Sequence, residues 1–151
     1  MRTTLTIAFL LLAAAVSASA DLKRGTAAEA KDMVARAIAY YDQVGSDRAF
    51  EKFTDNPAPE FFDRDLYVFV IRIGGPIVAH AANSSFVGVD IRQFVDIDSN
   101  EFGKKMLSTA SPTGTWINYK SITLTDGAPR KKASWLVLHD NHLFGVGIYI
   151  D

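Results

Sequence analysis

Asp65-Leu66-Tyr67-Val68-Phe69-Val70-Ile71-Arg72, then the turn Gly74-Gly75-Pro76, then Ile77-Val78-Ala79-His80: this stretch decides the fold. Its β-branched and aromatic residues carry no helical period, and Gly-Gly-Pro supplies the reversal, so the segment reads as a β-hairpin. Upstream the period changes. Ala30, Met33, Val34, Ala37, Ile38, Tyr41 and Val44 recur at three and four and form one apolar stripe. Thr26 with Glu29 makes a capping box for that helix, and Gly45 ends it. Ser46 is expected to cap a second, shorter helix with Ala49, Phe50 and Phe53 on its apolar side, closed by Asn56-Pro57. Downstream, a loop through Asn83 to Asp96 leads to a helix from about Asn100 to Ala110, stopped by Ser111-Pro112. Three more strands follow, Gly114 to Ile122, Lys131 to Leu138 and Leu143 to Ile150, with Asp140-Asn141 as the turn between the last two.

The chain has 151 residues, 48% of them hydrophobic and 22% charged, the composition of one globular domain. With 16 basic against 17 acidic residues and a pI near 6.3, it lacks the basic face of a nucleic-acid binder. The absence of cysteine excludes disulfides, thiolate metal sites and a cysteine nucleophile. Residues 1–20 read as a secretory signal peptide: Arg2, an apolar run from Leu5 to Val16, then Ala18-Ser19-Ala20 before Asp21. Twelve apolar residues make only ~18 Å of helix against a hydrocarbon core of ~30 Å. The expected mature chain, residues 21–151, is a single domain in the periplasm or outside the cell. A retained N-terminal anchor is the other reading of that run.

Enzyme signatures fail on their spacing. There is no GxSxG elbow, no GxxxxGK[ST] phosphate loop and no HExxH helix, so no catalytic residue and no cofactor is expected. His139 and His142 flank a tight turn and read as exposed rather than metal-binding. Asp96, Asp98 and Asn100 imitate the start of a calcium loop, yet Glu101 and Leu107 occupy the positions that need Gly and Glu. The expectation there is an Asp-rich turn that N-caps the next helix. Asn83-Ser84-Ser85 matches a glycosylation sequon, too short a motif to carry weight.

Two helices, a hairpin, a helical crossover and three meandering strands make an α+β domain: a long N-terminal helix packed on a five-stranded antiparallel sheet with a helix and loop as cover. That layout is PAS-like, and a pocket is expected between sheet and cover. Aromatic and polar side chains cluster on the strands: Tyr67, Phe69, His80, Trp116, Tyr119, Lys132, Trp135 and Tyr149. Lys132 enters a largely apolar strand, where an unpaired ammonium is costly and needs an internal carboxylate or an anionic ligand. Trp116 and Tyr119 are three apart, so a regular strand sends them to opposite faces, and only a bulge joins them in one pocket.

From about Ala28 to Ile150 the chain resembles the small single Cache domains, extracytoplasmic sensor modules of bacterial chemoreceptors and histidine kinases. The residues that carry the likeness are Tyr40-Tyr41, Gly45, Ala49-Phe50, Asp65 to Val70, Ala79-His80, Phe86-Val87-Gly88, Asp96, Phe102, Gly114 to Tyr119, Lys132 and Gly147-Ile148-Tyr149. The resemblance implies a non-catalytic sensory domain that binds a small organic ligand such as a short carboxylate. Tyr67, His80, Trp116, Tyr119 and Lys132 are then the candidate ligand-binding residues, with Lys132, or Lys131 if the register slips by one, neutralising the acid. It also implies a membrane-bound chemoreceptor or histidine kinase as partner; because the chain ends at Asp151, right after the terminal strand, a free-standing member is expected, with pairing of two copies through the N-terminal helix. The competing expectation is an accessory or dimerisation protein whose filled core leaves no pocket.

Overall fold

The computed structural model describes residues 24–123 and 126–150; the expected signal peptide lies outside them. Helix α1, Ala27–Val44, starts at the Thr26/Glu29 capping box and buries Ala30, Met33, Val34, Ala37 and Tyr41. Gly45, at φ 83°, ends it in a conformation that favours glycine and is itself the N-cap of α2, Ser46–Thr54. Ser46 is therefore the first helical residue and not the cap, a correction to the sequence reading.

The strands are β1 (Phe62–Asp63), β2 (Leu66–Arg72), β3 (Ile77–His80), β4 (Thr115–Ile122), β5 (Pro129–His139) and β6 (His142–Tyr149). All pair antiparallel, in the order β1-β2-β6-β5-β4, with β3 also on β2. The five expected strands are present, and β1 is a two-residue addition too short to show a period. Val68 N–H donates to Phe61 O while its carbonyl accepts from Ala81 N–H, so β1 and β3 share one edge of β2.

Strand alternation divides the interior in two. Leu66, Val68 and Val70 of β2 and Phe144, Val146 and Ile148 of β6 face α1 and α2. Tyr67, Phe69, Ile71 and Leu143 face the other way, toward the cover. A bulge in β3 pairs Val70 with Ala79 but Ile71 with Ile77, which keeps Ile77 on the cover side. The cover consists of two 3-10 turns, Ser84–Phe86 and Ile91–Gln93, and helix α3, Phe102–Ser108.

The Asp-rich turn exists but does not cap α3, whose N-cap is Glu101 without a side-chain bond. Asp96 instead accepts from Asp98 N–H, Asn100 N–H and the Asn100 amide, and its other oxygen accepts from Lys120 N–H of β4 at 3.1 Å. The Asn100 side chain first, then these backbone donors, holds its carboxyl down at about 2. His142 is also unlike the sequence expectation. It is buried, its Nδ1 lies 2.7 Å from Asp140 O, while His139 Nε2 lies 2.7 Å from Asp42 Oδ1, so the two rings turn to different partners. Among the described residues no three His, Asp or Glu side chains converge on a metal position.

Candidate functional site

Between the sheet and its cover lies a cavity of about 360 Å³. Tyr67 and Phe69 of β2, His80 of β3 and Tyr119 of β4 form its floor, and Phe94 and Met106 belong to the roof. Rings follow one another around it. Centroid separations run 5.2 Å from Tyr67 to His80, 5.1 Å to Phe86, 5.3 Å to Phe94, 6.2 Å to Phe102 and 4.3 Å to Tyr119, the last pair stacked within 7° of parallel.

Three of the five candidate residues line this space: Tyr67, His80 and Tyr119. Trp116 does not. β4 pairs with β5 in unbroken register from Thr115↔Leu136 to Ile122↔Pro129, so Trp116 stands on the α1 face against Trp135, ring centroids 5.4 Å apart. The bulge needed to bring it beside Tyr119 is not there.

Lys132 is 1% exposed and Lys131 is exposed, so position 132 is the inward one. Lys132 lies behind the wall and not on it. Its Nζ donates to Tyr67 Oη at 2.6 Å and sits 4.3 Å from the Tyr67 ring centroid and 4.9 Å from that of Tyr149. Among the described residues it meets no carboxylate within salt-bridge distance. Gly147 makes room for it. A Cβ there would stand 2.3 Å from Lys132 Cε and 2.8 Å from Ser134 Oγ. Ser134 Oγ in turn lies 2.8 Å from Tyr119 Oη.

Burial raises the Tyr67 phenol to about 12, helped by the Asp65 charge, and so keeps it protonated. Burial first, then the Lys132 charge, lowers His80 to about 4, so its imidazole is neutral near pH 7. His80 Nδ1 accepts from Asn83 N–H at 3.0 Å, which puts the ring proton on Nε2.

The sequence reading missed Ile91, Phe94 and Ser134. Phe86, Phe94 and Phe102 lie eight residues apart in a segment with little regular structure. Aromatics on such a loop need cover from somewhere, and that was the available signal.

The family model for single Cache domain 2 matches residues 5–151. The chain belongs to that family. Similar solved structures show the same fold at low identity. A methyl-accepting chemotaxis protein from Vibrio parahaemolyticus RIMD 2210633 is similar at TM-score 0.67 and 18% identity, over 82% of this chain and 88% of that one. A periplasmic sensor domain of a chemotaxis protein gives 0.59 and 17%, over 79% and 86%. A Cache chemosensory domain described for its carboxylic acid recognition gives 0.58 and 17%, over 79% and 84%. Comparison with curated proteins finds no match. In this Cache domain, then, the cavity lies between the PAS-like sheet and its cover.

Proposed function

We propose that this Cache domain is a non-catalytic sensor that binds a small carboxylate between sheet and cover, in the periplasm, and passes occupancy to a membrane-bound chemoreceptor or histidine kinase. The observation that carries the reading is Lys132: a buried ammonium that among the described residues has no carboxylate within salt-bridge distance, one hydrogen bond behind a phenol that lines an open cavity. A carboxylate leaving water needs a cation or several donors, and a hydrogen bond to a charged group contributes ~1.5 to 3 kcal/mol. The likeness to a Cache domain described for carboxylic acid recognition supports the same ligand class. The cavity speaks against the filled-core alternative of an accessory or dimerisation module. Pairing of two copies through α1 is part of the same proposal.

Calorimetric titration with acetate, pyruvate and related acids tests it. Lys132→Met should weaken binding tenfold or more, about 1.4 kcal/mol or above, and leave the fold intact, while Lys131→Ala should change little. No heat with any acid, or equal loss in both variants, would refute the carboxylate reading.

A further inference from the structure

The donors at the polar end of the cavity are few and neutral. Tyr67 Oη accepts from Lys132, so its own proton is free to be given away, and no acceptor for it occurs among the described residues. His80 uses Nδ1 to accept from Asn83, so Nε2–H is the donor left on a ring that lines the cavity. Two adjacent donors with a cation directly behind one of them match a single carboxylate.

Apart from the neutral polar Asn83, Ser121 and Thr123 and the charged Asp96 and Lys120, the remainder of the lining is apolar. Phe69, Ile77, Phe86, Ile91, Phe94 and Met106 offer only apolar surface. The rim is apolar as well, with Val95, Ile97 and Ile122 at 55%, 60% and 52% exposure. The one cation on the wall, Lys120, is held by Asp98 at 2.5 Å, and Asp96 adds a negative charge nearby. A second carboxylate on the ligand would find no free cation among the described lining residues, only the neutral hydroxyls of Ser121 and Thr123, the latter already donating to Asp126, and would meet Asp96.

We propose that the site selects a monocarboxylate with a sizeable apolar body, such as a medium-chain or aromatic acid, over acetate and over dicarboxylates. This rests on the carboxylate reading above and narrows it. The carboxylate docks on Tyr67 and His80, and the body fills the space inside the ring of aromatics. Each buried methylene then raises affinity roughly three- to fourfold.

Calorimetric titration of the folded domain with acetate, butyrate, hexanoate, benzoate, succinate and 1-butanol decides it. Affinity should climb from acetate to hexanoate, benzoate should exceed acetate by tenfold or more, and succinate should bind more weakly than butyrate. Phe94→Ala should weaken benzoate several-fold and leave acetate within twofold. Acetate binding as tightly as hexanoate and benzoate, succinate tighter than butyrate, or equal loss of acetate and benzoate in Phe94→Ala overturns the selectivity and leaves the carboxylate reading standing. Absence of binding by every acid, or 1-butanol equal to butyrate, overturns that reading itself and the selectivity with it.

Discussion

His80 couples the stability of the fold to pH through a simple proton balance. In the unfolded chain its imidazole titrates near 6.5, and burial with the Lys132 charge lowers it to about 4 in the fold. Between those values the unfolded state holds more protons, so the stability contributed by neutral His80 is complete above pH 6.5 and drains away as pH falls toward 4. His142, also lowered by burial first, acts with the same sign. The carboxylates respond later, since Glu29, Asp90 and Asp96 are held near 2. Melting temperature followed from pH 7 to 4 should therefore fall less steeply in His80→Gln than in the wild type. Parallel curves would show that His80 takes no part in that loss.

At the scale of elements, the cover depends on one close approach. Gly103 of α3 lies against the turn at Ile91, where an added Cβ would stand 1.7 Å from Ile91 O and 2.7 Å from its carbonyl carbon. Backbone cannot yield as a side-chain tip does, so Gly103→Ala must push α3 away from the turn. Hydrogen exchange should rise across residues 91–108 and stay near wild type in α1, because the two lie on opposite faces of the sheet. Unchanged protection of α3 would mean that the cover tolerates the shift. The other face is secured differently. Asp140 and Asn141, both at positive φ, reverse β5 into β6, and Tyr41 of α1 donates its hydroxyl proton to the Asp140 carboxylate. That bond fixes the hairpin end against the N-terminal helix.

For the whole molecule, the sheet is a partition with a helix-covered core on one side and a ligand-sized space on the other. Among the described residues no helix is long and apolar enough to cross a membrane. The apolar run before Ala18-Ser19-Ala20 carries the export proposal. Intact mass of the protein recovered from the periplasm should place the N-terminus at Asp21. A full-length species that pellets with membranes would instead favour the retained anchor. Removing Arg2 with that segment leaves 15 basic against 17 acidic residues, a mild negative charge that does not draw anions from a distance, so the proposed affinity for an acid rests on the local donors.

The order of elements was legible without coordinates, because periods of 3.6 and 2 and the capping and turn residues are local properties of the chain. The α1 stripe, the β2–β3 hairpin and the Asp140-Asn141 turn all follow from neighbours in sequence. That Tyr67, His80 and Tyr119 line one cavity was legible for a related reason, since alternation along a strand assigns each side chain to a face once the strand is known. Trp116 shows the limit. Its spacing from Tyr119 already sent it to the other face, and only the unbroken β4–β5 ladder excluded the bulge that would have brought it back. The position of Lys132 behind Tyr67, and the choice of 132 over 131, were decided by pairing with β6, where Gly147 leaves the gap its side chain fills. Phe86, Phe94 and Phe102 became a wall through contacts between distant segments, for which no local period exists. Sequence fixes which residues can form a helix, a strand or a turn, but a cavity is space left between elements, and only their packing determines its size and lining.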